Sequence, residues 1–205
     1  IALGDSVRVV FLAEGVTARY SLSQIGDQKV KDLSDARNND ALRALSTLGV
    51  ADDQIFTSSR PCCRLDEIPL IELVKDIESH IISFRPSVIY THGANDVNVD
   101  HGITHKAILA ATRPVGMPFL QSIMCLEVLS STEWNPLAPF QANVFCDITD
   151  YIEAKIRALR AYGDEMRAAP HPRSEDVVRA LATYRGSQVG VSYAEGFNLI
   201  RTLAL

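Results

Sequence analysis

Short apolar runs alternate with amphipathic stretches along this chain, and that alternation restricts its fold more than any other feature of the sequence. Val7 to Leu12 and Ser87 to Thr91 are apolar on both faces and rich in β-branched residues, which is typical of buried parallel strands. Apolar residues recur at helical spacing from Leu33 to Leu48, which Gly49 follows, and from Leu70 to Ile81. We therefore predict an α/β fold, a three-layer sandwich around a mostly parallel, Rossmann-like sheet with both strands near its centre.

The second half of the chain continues this alternation. Phe119 to Val128 is a further apolar run, and Ile148 to Met166 predicts one long helix. Ser174 is predicted to begin the last helix, because Glu175 follows in the first turn, where acidic side chains are favoured. No linker, repeat or low-complexity segment interrupts residues 1–205, so we expect a single domain.

The first residues read as the end of a helix. In the segment from Ile1 to Asp5, Gly4 stands where a helix commonly ends. Because a protein rarely starts in the last turn of a helix, we expect residues 1–205 to lack the N-terminal strand of the domain and most of its first helix.

The composition narrows the class of protein. Apolar residues make up 47% and charged residues 22% of the chain, which is typical of soluble globular proteins. A net charge of −5 without any Lys/Arg cluster argues against a nucleic-acid partner, and no apolar run approaches the roughly 18 residues of a membrane span. None of the four cysteines forms a C-x-x-C pair, which indicates reduced thiols and a cytoplasmic location. The sequence is compatible with a homo-oligomer.

The densest group of reactive side chains lies between Tyr90 and His105. These sixteen residues hold three of the five histidines, two aspartates and two asparagines, directly after a predicted strand. In sheets of this kind, ligands bind beyond the carboxyl ends of the strands. His101 and His105 are four apart and share a face of a helix, and imidazoles with nearby carboxylates bind zinc and similar ions. The same residue types also cap and solvate helices, so the spacing alone leaves both interpretations open.

A resemblance to a known family favours the metal site. Asn98-Val99-Asp100-His101 resembles the [His/Asn]-x-Asp-His motif of the LmbE/PIG-L de-N-acetylases. Further segments are similar to that family, in the same order along nearly the whole chain: VRVVFLAEGVTAR (7–19), RLDEIPLIELV (64–74), YTHGANDVNVDHGITHKAILAATRP (90–114), EVLSSTEW (127–134), HPRS (171–174) and RGSQVGVSYAEGF (185–197).

This resemblance implies a zinc-dependent hydrolase that removes an acetyl group from an N-acetylated amino sugar or glycoconjugate, a small-molecule substrate. It implies a zinc ion held by His, Asp and His, with His101 as the last of these ligands. The other two, and a carboxylate that acts as general base, belong to an N-terminal Ala-His-Pro-Asp-Asp motif. Nothing in residues 1–205 matches that motif, so we expect these ligands upstream of Ile1. Zinc with an open position lowers the pKa of bound water to about 7 and polarises the amide carbonyl.

The other predicted site residues have roles that the sequence leaves open. Asn98 stands where some relatives have His; it can donate a hydrogen bond to an oxyanion but carries no charge. Asp100 is predicted either to orient His101 or to cap the helix. Arg64 and Asp66 are predicted to bind sugar hydroxyls or a phosphate, or else to hold their loop by an ion pair. Asp96 is predicted to contact the substrate.

A second function class is an LmbE-like domain without catalysis. A metal-free or degenerate relative would bind a sugar or a nucleotide-sugar. Residues 1–205 contain no G-x-G-x-x-G and no Walker A motif, which counts against the commonest nucleotide-binding folds.

Overall fold

The computed structural model describes residues 1–203, which form two compact units. The first unit comprises Ile1–Leu65 and Asp150–Val177, and the second Asp66–Thr149 and Val178–Leu205. In chain order the elements are β1 (Val9–Val10), α1 (Gln28–Thr47), β2 (Ile55–Phe56), α2 (Leu70–Phe84), β3 (Val88–Thr91), α3 (Val99–Ala111), β4 (Ser122–Leu126), β5 (Val144–Asp147), α4 (Ile152–Arg160), α5 (Glu175–Ser187) and β6 (Ala194–Thr202). No helix in this part of the chain is both long and apolar enough to cross a membrane.

The first unit contains a parallel strand pair and two packed helices. Strands β1 and β2 pair with Val9 beside Ile55, and helix α1 packs against α4. Ile156 of α4 has no exposed surface, and Ala41 and Ala44 of α1 are also buried. Helix α1 ends as the sequence predicts, because Gly49 takes a φ of +85°, which residues with a side chain rarely adopt.

Glu14 fixes the loop that follows β1. Its buried carboxylate accepts hydrogen bonds from the backbone nitrogens of Val16 (2.7 Å), Thr17 (3.0 Å) and Cys62 (3.0 Å), and from the Thr17 and Ser34 hydroxyls. Burial acts to raise the pKa of Glu14, but the bonds from Thr17, Cys62 and Val16 outweigh it and hold that pKa below its ordinary value. The side chain therefore stays ionised and ties two loops of the unit together.

The second unit is built on a four-stranded sheet in the order β3-β4-β6-β5. Strand β3 is parallel to β4, whereas β6 is antiparallel to both of its neighbours. Ile123 and Cys125 of β4 are buried, and helix α2 packs against α3. Helix α2 buries Leu73 and Ile77 at helical spacing, as the sequence predicts.

The prediction of a mostly parallel sheet with two central strands is wrong for the described residues. The four-stranded sheet is mixed, β3 lies at its edge, and β1 pairs with β2 alone in this part of the chain. Tyr90 of β3 is 53% exposed. The error has a physical reason: an apolar run indicates that a strand is partly covered, but not how many strands pair with it. The three-layer arrangement remains a prediction, because it concerns both units together.

The predicted long helix from Ile148 to Met166 is also shorter in the structure. Ile148 continues the β5 connection, since its backbone nitrogen donates to the Tyr193 carbonyl at 3.0 Å. Helix α4 starts at Ile152, and a separate 3-10 turn covers Gly163–Glu165. The start of α5 is confirmed, because the Ser174 hydroxyl accepts a hydrogen bond from the backbone nitrogen of Val177 at 3.2 Å.

Candidate active site

The polar loop identified in the sequence joins the end of β3 to the start of α3. Strand β3 ends at Thr91 and helix α3 begins at Val99. Asn98 caps the helix, because its side-chain oxygen accepts a hydrogen bond from the backbone nitrogen of Asp100 at 2.9 Å. His101 thus lies in the first turn of α3, beyond the carboxyl end of a strand, and the structure places it beside the rest of this loop.

A buried carboxylate holds the His101 ring. Nδ1 of His101 lies 2.8 Å from Oδ2 of Asp96, whose side chain has no exposed surface. Asp96 also accepts hydrogen bonds from the backbone nitrogen of Asn98 at 2.9 Å and from the Ser131 hydroxyl. Burial acts to raise the pKa of Asp96, but these hydrogen bonds hold it below its ordinary value. Because an ionised carboxylate only accepts, Nδ1 of His101 carries a proton, and in the neutral ring it is Nε2 that holds the lone pair.

The ring of His92 stacks on the ring of His101. The rings of His92 and His101 are parallel within 6°, with centroids 3.7 Å apart. Burial, and to a smaller extent the positive charge of His101 when that ring is protonated, lower the pKa of His92 to about 4. Nδ1 of His92 is buried and has no hydrogen-bond partner among the described residues. His92 is therefore a neutral ring at pH 7.

The geometry of this group allows one side chain, and not all three, to bind a metal ion. His92, Asp96 and His101 each offer a ligand atom within 4.8 Å of the others. An imidazole nitrogen donates in the plane of its ring, and two nearly parallel planes do not converge on one ion. The Asp96 oxygens already accept three hydrogen bonds. The arrangement therefore suits His101 as a ligand through Nε2, with Asp96 as the carboxylate that orients it, a common pairing at zinc sites.

The Glu127–Trp134 segment supplies the support for Asp96 that the sequence did not reveal. Ser131, which donates to Asp96, is fixed because Glu133 accepts hydrogen bonds from the backbone nitrogens of Ser130 (2.5 Å) and Ser131 (2.9 Å). Asn135 extends the contact, since its side chain donates to the Asn95 carbonyl at 2.8 Å. The family resemblance of this segment was the available signal, but spacing alone could not link residues 35 positions apart.

The base of the loop is held by two more side chains. The carbonyl oxygen of His92 accepts hydrogen bonds from Nδ1 of His105 at 2.9 Å and from the Cys125 thiol at 3.2 Å. Burial raises the pKa of Cys125 to about 11, so this cysteine remains a protonated thiol. His105, which shares a helix face with His101, thus supports the loop from below.

A cavity of about 380 Å³ opens beside Asp96. One side is apolar, with Leu137, Phe140 and Ile200, and the polar groups include the amides of Asn95 and Gln141. None of the residues in 1–203 that line this cavity is Lys or Arg. Its size is that of ordinary small-molecule sites.

The remaining predicted residues occupy different settings. Asp100 is buried at the start of α3. Arg64 is half-buried in the first unit, where one terminal nitrogen lies 3.5 Å from the Tyr20 carbonyl oxygen. Asp66 is exposed on the 3-10 turn Leu65–Glu67.

Comparison with known families decides the relationship. A sequence model described as PIG-L: GlcNAc-PI de-N-acetylase matches residues 1–112, more than half of the chain. The chain belongs to the PIG-L family. The predicted resemblance is therefore confirmed, and the loop, the Asn98 cap and His101 all lie within the matched residues of this PIG-L chain.

Solved structures share the fold of this PIG-L family member. N,N'-diacetylchitobiose deacetylase from Pyrococcus horikoshii is 18% identical, with a TM-score of 0.74 over 97% of this chain and 74% of that chain. A conserved protein from Thermus thermophilus is 18% identical, with a TM-score of 0.71 over 100% and 85%. The 4-carboxy-2-hydroxymuconate hydratase from Pseudomonas putida is 19% identical, with a TM-score of 0.70 over 100% and 88%. Such identities show a common fold, and a deacetylase and a hydratase both have it.

Proposed function

We propose that this chain carries the catalytic domain of a zinc-dependent de-N-acetylase, which hydrolyses the acetamide of an N-acetylated amino sugar or glycoconjugate. Membership of the PIG-L family supports the reaction class. One observation carries the proposal: the buried carboxylate of Asp96 holds Nδ1 of His101 at 2.8 Å, which leaves Nε2 of that ring to bind a metal.

In this proposal His101 is one of three protein ligands of the zinc ion. In this proposal the other two ligands, and the carboxylate that takes a proton from water, belong to the Ala-His-Pro-Asp-Asp motif of the family, which has no match within residues 1–205. The bound ion would supply a water of lowered pKa and an electrophile for the amide carbonyl. The residues of this chain then have the tasks of holding the ligand ring, binding the sugar and stabilising the oxyanion.

Asn98 and Asp96, just before α3, have different roles in this proposal. The side-chain oxygen of Asn98 accepts from the backbone of Asp100, and its amide nitrogen is the group we propose for donation to the oxyanion. Asp96 keeps the His101 ring in one tautomer, so we now assign it a positioning role rather than a substrate contact. Arg64 and Asp66 remain our candidates for contacts to substrate hydroxyls.

The cavity beside Asp96 favours a neutral sugar as the substrate. Amide side chains and an aromatic wall suit hydroxyls and the faces of a sugar ring. The hydratase that shares this fold acts on a substrate with carboxylate groups, and such groups are usually bound by Arg or Lys. The described lining residues include neither, so this cavity lacks the side chains that usually bind such carboxylate groups.

An acetate-release assay tests the proposal. Protein that carries the Ala-His-Pro-Asp-Asp motif would be incubated with N-acetylglucosamine, diacetylchitobiose and an N-acetylglucosaminyl phospholipid, and with an unsaturated dicarboxylate as the hydratase arm. We expect acetate and a free amine from at least one sugar, lost on chelation and restored by zinc. Hydration of the dicarboxylate without acetate release from any sugar would contradict the assignment.

Residues 1–205 alone should bind zinc weakly, since affinity depends on the number of ligands and this chain supplies one. A zinc titration followed by calorimetry should show no stoichiometric binding at micromolar protein. Stoichiometric zinc together with acetate release by residues 1–205 would show that the ligands of the Ala-His-Pro-Asp-Asp motif are not needed.

Replacing Asp96 by asparagine should weaken zinc binding or turnover by about 10- to 100-fold, because the ring would lose its charged partner. The matched control is Asp100→Asn on the same helix start, which we expect to have the smaller effect, since Nδ1 of His101 pairs with Asp96. Zinc affinity by chelator competition and kcat/KM would be measured for both. A larger loss for the Asp100 variant would return the positioning role to Asp100.

A further inference from the structure

The face of the His92 ring lies against the face of the His101 ring. The two rings are parallel within 6°, and their centroids are 3.7 Å apart. Nδ1 of His92 is buried and has no hydrogen-bond partner among the described residues. Because this nitrogen is closed to solvent, it is not placed to bind a substrate or a metal ion. The contact that His92 offers to the candidate site is therefore its flat face.

The backbone of His92 holds the ring at this place. Its carbonyl oxygen accepts hydrogen bonds from Nδ1 of His105 at 2.9 Å and from the Cys125 thiol at 3.2 Å. His105 belongs to α3 and Cys125 to β4, so the carbonyl group is tied to two separate elements of the second unit. His92 is thus fixed by contacts that do not involve His101.

The His101 ring needs a second restraint besides its hydrogen bond. The bond of 2.8 Å between Nδ1 of His101 and Oδ2 of Asp96 holds one edge of the ring, but it leaves the ring able to tilt about that bond. The stacked ring blocks a tilt toward its side, because carbon atoms repel when they approach closer than about 3.5 Å. The hydrogen bond and the stack together select one plane for the ring, and that plane sets the direction of the Nε2 lone pair.

We propose that His92 is a positioning residue for the proposed metal site: the face of its ring fixes the plane of His101 and thereby the direction in which Nε2 donates. The inference rests on the proposed function, because it assigns His92 to the ligand ring. The contact requires a flat ring but no ring nitrogen, since Nδ1 has no partner among the described residues. An aromatic ring without nitrogen should therefore perform the same task.

The first test compares His92→Phe with His92→Ala in protein that carries the Ala-His-Pro-Asp-Asp motif. Phenylalanine keeps a flat ring, so the zinc affinity measured by chelator competition should stay close to that of the wild type. Alanine removes the ring face, so zinc affinity should fall by about tenfold or more, as it does when other groups that orient a zinc ligand are lost. If His92 were itself a zinc ligand, both variants would lose zinc equally, and if it had no role, neither would. Either result would overturn the proposal.

The second test is proton NMR of residues 1–205 without metal. Protons above the face of an aromatic ring resonate upfield. The ring protons of His101, assigned from the signals that are absent in His101→Ala, should therefore move downfield in His92→Ala and remain upfield in His92→Phe. His80 is the internal reference, because its ring pairs with Asp76 within α2. Unchanged His101 signals in His92→Ala would show that the stack does not exist in solution.

Melting temperatures separate positioning from a general loss of structure. A purely structural role predicts that zinc affinity and melting temperature fall together in both variants, and that result would also overturn the proposal. If the larger phenylalanine ring prevents folding, the His101 signals of the wild type and of His92→Ala still decide. A wild type that binds no zinc would contradict the proposed function, whereas the NMR comparison tests the role of His92 without any metal.

Discussion

In protein that carries all three proposed zinc ligands, replacing His101 by alanine should remove most of the bound zinc and lower the rate of acetate release by roughly a thousandfold or more. The proposed ligand nitrogen is Nε2, and a metal supplies several kcal/mol of transition-state stabilisation, or about three powers of ten in rate. Metal analysis and single-turnover acetate release on the same preparation would measure both losses. The two should fall together, because one atom is responsible for both.

The fold should survive this substitution. Without the imidazole, Asp96 still accepts from the Asn98 backbone and the Ser131 hydroxyl, so we expect a loss of only about 1–2 kcal/mol in unfolding free energy. His80→Ala is the matched control, since that ring pairs with Asp76 within α2. Retained zinc and turnover in His101→Ala would end the metal-ligand assignment, and a large loss of stability with unchanged metal content would make His101 a packing residue.

The largest effect on stability should come from Glu14→Gln. A glutamine keeps one oxygen and replaces the other by an NH2 donor, so either the backbone N–H of Val16 or those of Thr17 and Cys62 would lose their acceptor. We expect a loss of about 2–3 kcal/mol in unfolding free energy at neutral pH. Urea denaturation followed by circular dichroism would measure it, with Glu72→Gln, an exposed residue of α2, as the control.

The pH dependence of this difference has a fixed sign. Hydrogen bonds lower the pKa of Glu14 in the folded protein, so its contribution is present above the unfolded pKa, about 4.3 for a free glutamate. The contribution is lost as the pH falls through the lower, folded pKa. The wild type and Glu14→Gln should therefore differ most near neutral pH and converge in acid. A difference that stays constant from neutral to acid pH would mean that the charge of Glu14 contributes nothing.

Helices were the part of the fold that the sequence could predict. Helix formation depends on local sequence. The apolar spacing from Leu33 to Leu48 and the following Gly49 predict a helix end, and α1 ends there. Strand neighbours depend on distant residues, so the edge position of β3 was not predictable from its four apolar or β-branched residues. The strands β5 and β6 were missed for the same reason, since their pairing joins residues about 50 positions apart.

The candidate site divides in the same way. His101 follows from a local motif, and the structure places it in the first turn of α3, but the cap of that helix is Asn98 and not Asp100. The partner of the His101 ring did not follow, since Asp96 and Asp100 are both within five residues and only the loop conformation selects between them. The hydrogen bond from Ser131 to Asp96 is a tertiary contact, and the spacing of residues along the sequence does not predict it.

The exposed side of β3 has a consequence for handling the chain. An edge strand presents backbone donors and acceptors that template the addition of another strand, and natural edges are usually protected by Lys, Pro or a bulge. Val88–Thr91 contains neither Lys nor Pro, and its register with β4 is regular. The described part of this edge therefore has none of these protections, so low protein concentration is the sound starting condition for purification.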